Sequence, residues 1–154
     1  MTLTRKLLVA LSVIGVIALG FFREFIFIHI NEQLFALWYD EPSRASDWIP
    51  FIKSVDYYTL YRSKWFLTVF FAGLFYGAIL LVLRQIFDRW YWKELGVIYG
   101  VLILAAAVAL GAGYVLSNDL EPYYLAARFF MGIAQSPLLL MIMVPGIWLR
   151  RVGE

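Results

Sequence analysis

Cysteine is absent, which removes disulfides, thiolate metal sites and cysteine nucleophiles from consideration. Histidine occurs once, at His29, with no obvious serine and acid arranged around it, so a Ser-His-acid hydrolase is weakly supported. Charge is scarce. Only 16% of residues are Asp, Glu, Lys or Arg, against about 25% in soluble domains. The formal balance of +2 is too small for a nucleic-acid footprint. No glycine-rich phosphate loop occurs. No apolar run holds the paired aspartates of an intramembrane protease or the several ionisable groups of a proton relay. Neither a cofactor nor a metal is expected.

What remains is apolar: 63% of the chain is hydrophobic and 19% aromatic, as expected where lipid is the solvent for most of the surface. Four stretches approach or exceed the roughly 20 residues a spanning helix needs. They are 7–22 (continued by 25–30 beyond Arg23 and Glu24), 65–87, 95–116 and 125–149. The expected fold is all-α: one membrane domain over 1–154, a bundle of four transmembrane helices at about 7–30, 65–87, 95–116 and 125–149, with an outer loop at 31–64. Arg5 and Lys6 before the first stretch resemble the start of a signal peptide. The residues after Gly20 (Phe-Phe-Arg-Glu-Phe) offer no small-residue cleavage site, so the segment reads as an uncleaved first span.

Basic residues set the expected orientation. Arg5 and Lys6, then Arg84, Arg89 and Lys93, then Arg150 and Arg151 flank alternate ends of the spans, whereas the 117–124 connection has none. In the 31–64 segment, Glu32, Asp40, Glu41, Asp47 and Asp56 offset the basic residues. Both termini and the 88–94 turn are therefore expected in the cytoplasm. Aromatic belts agree: Tyr57, Tyr58, Tyr61, Trp65, Tyr123 and Tyr124 at the outer level, Trp90, Tyr91, Trp92 and Trp148 at the inner.

Arg128 lies four residues into the last stretch, and a guanidinium there costs at least a few kcal/mol unless paired, hydrated or able to snorkel. Arg23 and Glu24 fall at the same expected level. Glu24 is the preferred partner of Arg128, with Arg23 a second cation that needs its own acceptor. Snorkelling of both arginines to phosphates, or the capture of an anionic ligand, are the other readings. Gln135 follows Arg128 by seven residues and shares its helix face, which is expected to meet the first helix or a partner protein. Gln135 and Ser136 suit bonds between helices. His29, Glu32, Gln33 and Asp40 fall on one arc if the first helix continues to residue 40. That arc reads as a solvated polar face at the outer interface, with too few ligands for a metal. Gly73-x-x-x-Gly77, Gly96-x-x-x-Gly100 and Ala107-x-x-x-Gly111 are expected to pack the second span on the third. Pro137 and Pro145 can kink the last.

Three motifs carry a resemblance: Arg23-Glu24-Phe25 after the first span, Leu37-Trp38-Tyr39-Asp40 beyond it, and the final stretch. In that stretch Tyr123-Tyr124-Leu125-Ala126-Ala127-Arg128-Phe129-Phe130 leads to Gln135-Ser136-Pro137-Leu138-Leu139-Leu140 and Pro145. At both ends the chain resembles small four-helix membrane proteins of Bacteroidetes associated with an exosortase, a membrane enzyme of protein sorting. The resemblance implies a non-enzymatic accessory protein or subunit beside a larger envelope machine in the bacterial inner membrane, with no catalytic residues to carry over. A small transporter or lipid-binding bundle, in which Arg128 and Arg23 hold an anionic group such as a lipid headgroup, is the competing expectation. A lipid-modifying enzyme is a third, with little in the sequence to recommend it.

Overall fold

The computed structural model describes residues 2–42, 49–116 and 120–153. Asp47 of the expected outer loop and residues 117–119 of the connection without basic residues lie outside them. The order is α1 (Leu3–Tyr39), α2 (Pro50–Lys53), α3 (Tyr57–Phe87), α4 (Trp92–Leu116), α5 (Glu121–Ala134) and α6 (Leu138–Gly153), with no strand among the described residues. Helices α1, α3 and α4 are each long and apolar enough to cross a membrane, and α5 with α6 forms a fourth if that bent pair counts as one span.

Local chemistry explains the boundaries. The Asp56 carboxylate accepts the Thr59 N–H at 3.0 Å and caps α3, so this helix starts eight residues before the expected position. Bonds from Thr59, through its side chain and its backbone N–H, hold the Asp56 carboxyl below its ordinary value of 3.8. Asp40 and Asp88 end α1 and α3 in left-handed geometry (φ 54° and 58°), a conformation aspartate tolerates better than most residues. Pro50 opens α2, and Glu121 with Pro122 opens α5, where a missing N–H and a negative charge suit a helix start. Helix α1 is uninterrupted through Arg23 and Glu24 and absorbs the first nine residues of the expected outer loop.

The last expected span is divided. Residues 135–137 interrupt it, and α5 and α6 meet at a bend of 59°. Proline supplies the break but not the mending. The Ala134 carbonyl accepts the buried Tyr99 hydroxyl at 2.7 Å. Ser136 Oγ donates to the Ile133 carbonyl at 2.9 Å and accepts the Leu138 N–H at 3.3 Å. Ser136 thus serves the ends of its own two helices rather than linking neighbouring ones, contrary to expectation. Such local repair is what an apolar surrounding demands of broken helix backbone. Pro145, by contrast, lies inside α6 without interrupting it.

Packing is closest between α1 and α3 and between α4 and α5. The core runs along Phe71, Phe75, Ile79 and Leu83, recurring every four residues on one face of α3, and continues through Leu95, Ala134, Leu139 and Met143. A smaller cluster joins Ile30 and Leu34 of α1 to Ile52 and Leu60. Of the spaced glycines Gly96 alone meets the other span as the sequence suggests, since a Cβ there would lie 3.7 Å from the Tyr76 hydroxyl of α3. A Cβ on Gly73, Gly77, Gly100 or Gly111 would meet nothing within 4 Å. The close approaches are elsewhere. A Cβ at Gly113 would lie 2.6 Å from the Tyr123 Cβ, and one at Gly20 would lie 3.3 Å from the Pro137 ring, where α1 crosses the break.

Both ends of the chain meet the α3–α4 turn. Arg5 donates to the Gln85 carbonyl at 2.6 and 2.8 Å and to Asp88 at 2.5 Å. Arg151 donates to the Phe87 carbonyl at 2.9 Å and to the Tyr91 hydroxyl at 3.2 Å. Two guanidinium groups from opposite termini thus cap the carbonyl end of α3, where the helix dipole favours cations.

Candidate functional site

At 1.5 Å per residue, about 27 Å of helix separates Arg5 from Arg23, close to the roughly 30 Å thickness of a hydrocarbon layer. At that far level a hollow of about 270 Å³ opens between the α1–α3 pair and the α4–α5 pair. Arg23, Glu24, Arg128 and Gln135, singled out in the sequence, all line it. Residues more than a hundred positions apart are gathered because α1 and the returning α5 reach the same level from opposite directions.

The pairing differs from the expected one. Glu24 Oε2 accepts from Arg23 Nη1 at 2.7 Å, so the carboxylate expected for Arg128 is held by its own neighbour in sequence. Arg23 Nε donates to Gln135 Oε1 at 3.2 Å, and Gln135 Nε2 donates to the Thr68 carbonyl at 2.8 Å. Gln135 is only 2% exposed. Its amide ties α1 and α3 to the break between α5 and α6, with both of its polar ends satisfied as a buried amide requires. The Arg23 guanidinium also lies 4.6 Å from the centre of the Phe27 ring, which adds cation–π attraction. Arg128 is exposed towards the hollow and forms no hydrogen bond or ion pair with any described residue.

Lys64 is the member that the sequence does not reveal. It lies in α3 rather than in a loop, and its Nζ donates to the Tyr124 hydroxyl at 3.4 Å. Its place one residue before Trp65, at the start of an apolar run, is the available signal, since a long cationic stem there can reach along a helix. With it the described lining of the hollow has three cations, Arg23, Lys64 and Arg128, against one carboxylate, that of Glu24. Tyr61, Trp65, Val69, Leu110 and Met131 supply an aromatic and aliphatic wall. This combination can hold an anion and shelter an apolar tail.

The outer-segment residues do not join the site. His29 folds back on its own helix, its Nδ1 2.6 Å from the Phe25 carbonyl and its ring 4.3 Å from the Phe25 ring. Glu32 is half-buried on α1, and Asp40 is exposed at the helix end. Gln33 is only 4% exposed, so the expected solvated arc is interrupted by a buried amide. Leu34 beside it is buried in the cluster that α1 forms with Ile52 and Leu60. No group of three or more metal-ligating side chains occurs among the described residues.

No family model, curated protein or solved structure matches the chain.

Proposed function

We propose that the chain is an integral membrane protein that binds an anionic group in the hollow between its two helix pairs, by recognition rather than by catalysis. The observation that carries this reading is Arg128: a guanidinium that lines the same hollow as two further cations, with the carboxylate described there already bonded to Arg23. An unpaired cation on an apolar stretch long enough to span a membrane marks a binding function by its expense. The proposed topology has four crossings, with both termini and the α3–α4 turn on the cytoplasmic side of a bacterial inner membrane, because Arg5, Arg84, Arg89, Lys93 and Arg151 gather at that end.

The test is lipid retention by the full chain extracted from mixed bilayers into mild detergent. Phosphatidylglycerol should be retained about tenfold over phosphatidylcholine, and Arg128→Ala should abolish the preference while leaving helix content and melting temperature intact, a loss near 1.4 kcal/mol. Equal retention by the wild-type chain and Arg128→Ala refutes the reading. Single-cysteine variants at Lys93 and Tyr58, in a chain with no cysteine of its own, test the topology. Lys93→Cys should be labelled only from the cytoplasmic side and Tyr58→Cys only from the other.

A second reading, an accessory subunit beside an envelope sorting machine, has one structural observation in its favour. Gly73 and Gly77 leave the backbone of α3 open to a neighbour, as helix association in lipid prefers. A stoichiometric partner that co-purifies with the wild-type chain, and is lost from Gly73→Leu and Gly77→Leu, is the expected outcome. Retention by both variants counts against it.

A further inference from the structure

We infer that the anionic group is a phosphate monoester rather than a phosphodiester or a carboxylate; this deepens the binding role proposed above and rests on it. The first observation is the charge count. Among the described residues, Arg23, Lys64 and Arg128 against Glu24 leave two positive charges in a hollow walled by apolar helices. Residual charge is disfavoured in such surroundings, so the best-matched occupant brings two negative charges. A phosphate monoester carries about −1.5 to −2 near neutral pH; a diester or carboxylate brings one.

The second observation is the donor inventory. Arg23 is engaged by Glu24 and Gln135, and it contributes field more than hydrogen bonds. Arg128 keeps its five N–H donors in a planar fork with no described partner. Lys64 has one bond to a hydroxyl and two donors to spare. Such a set suits the three terminal oxygens of a monoester, two for the fork and one for the ammonium. The Trp65, Val69, Leu110 and Met131 wall would lie against whatever the phosphate is esterified to. The same headgroup chemistry could arrive on a lipid or on a soluble phosphate ester.

Among the described residues, the charged and titratable groups lining the hollow are Arg23 and Glu24 from α1, Tyr61 and Lys64 from α3, and Tyr124 and Arg128 from α5; α4 contributes Ala106, Ala107 and Leu110. The pH response that identifies a monoester belongs to the ligand, whose second proton binds near pH 6. The full chain is therefore reconstituted in phosphatidylcholine bilayers doped equally with phosphatidic acid, a monoester, and phosphatidylglycerol, a diester. Lipid retained after extraction is measured at about pH 8 and about pH 5, either side of that proton.

Phosphatidic acid should be favoured at least tenfold at the higher pH and lose most of that advantage at the lower. Arg128→Gln, which lowers the net charge of the hollow by one, should bring the two lipids within about twofold at both; Lys64→Gln serves if that variant misfolds. Displacement of phosphatidic acid by millimolar inorganic phosphate would assign the site to soluble phosphates, and failure to displace it to the lipid; both support the phosphate-monoester assignment. Equal retention of the two lipids by the wild-type chain, both lost in Arg128→Gln, overturns the monoester while sparing anion binding. Retention of neither lipid, or indifference of both to Arg128 and Lys64, overturns the two readings together.

Discussion

The two ends of the bundle both gather arginine, yet they use it differently. At the end where the termini meet, Arg5 and Arg151 donate to carbonyls of α3 and to Asp88 and Tyr91, and so hold the helices in place. At the other end Arg23 is anchored to Gln135 while Arg128 and Lys64 keep donors facing an open hollow. Arginine whose donors end on the protein's own backbone is structural; arginine left facing space is available to something else. The two roles predict opposite responses to the same substitution.

The largest expected effect is on binding. Arg128→Ala should remove at least a tenfold preference for anionic lipid without moving the melting temperature, measured by retained lipid and by circular dichroism on one preparation. If stability falls instead, the contrast between the two ends fails. Gln135→Leu should do the reverse and lower stability by about 1–3 kcal/mol, because it leaves the Arg23 Nε and the Thr68 carbonyl without their partner in the interior. Comparable destabilisation, about 1–3 kcal/mol, is expected for Gly113→Ala, whose added methyl would press on Tyr123. At the closed end Arg151→Ala should cost about 1 kcal/mol of stability and leave lipid retention unchanged.

The smallest effect concerns Asp56. Its carboxyl is held below its ordinary 3.8, so the stability it contributes is complete above that value and is lost as pH falls through the lowered folded one. In an acid titration of the melting temperature, Asp56→Ala should flatten this fall; an unchanged profile would dismiss the cap.

Composition and the four apolar stretches lead directly to an all-helical chain, because 20 or so apolar residues in sequence leave few other structures open. The level of Arg23, Glu24, Arg128 and Gln135 was readable for a similar reason: distance along a helix is proportional to residue number. What could not be read is which partner each group takes. Glu24 shares the hollow with Arg23 and Arg128, and residue spacing does not reveal that its chain neighbour is the one that holds it. Apart from Gly96 the glycine motifs misled, because spacing reports a shared face without reporting what that face meets; Gly113 and Gly20, outside any motif, are where atoms come closest. The α1 extension was obscured by the mixed polar and aromatic residues at 31–39, whose helicity depends on packing of Ile30 and Leu34 against Ile52 and Leu60.

That extension has a mechanical consequence. Helix α1 has 37 residues, and about 24 Å of it rises past Arg23 with no hinge on the way. A twist applied to its tip near Trp38 would turn the shaft as one piece and swing the guanidinium at its midpoint through a similar angle. Whatever grips that mast holds a handle on the chamber below.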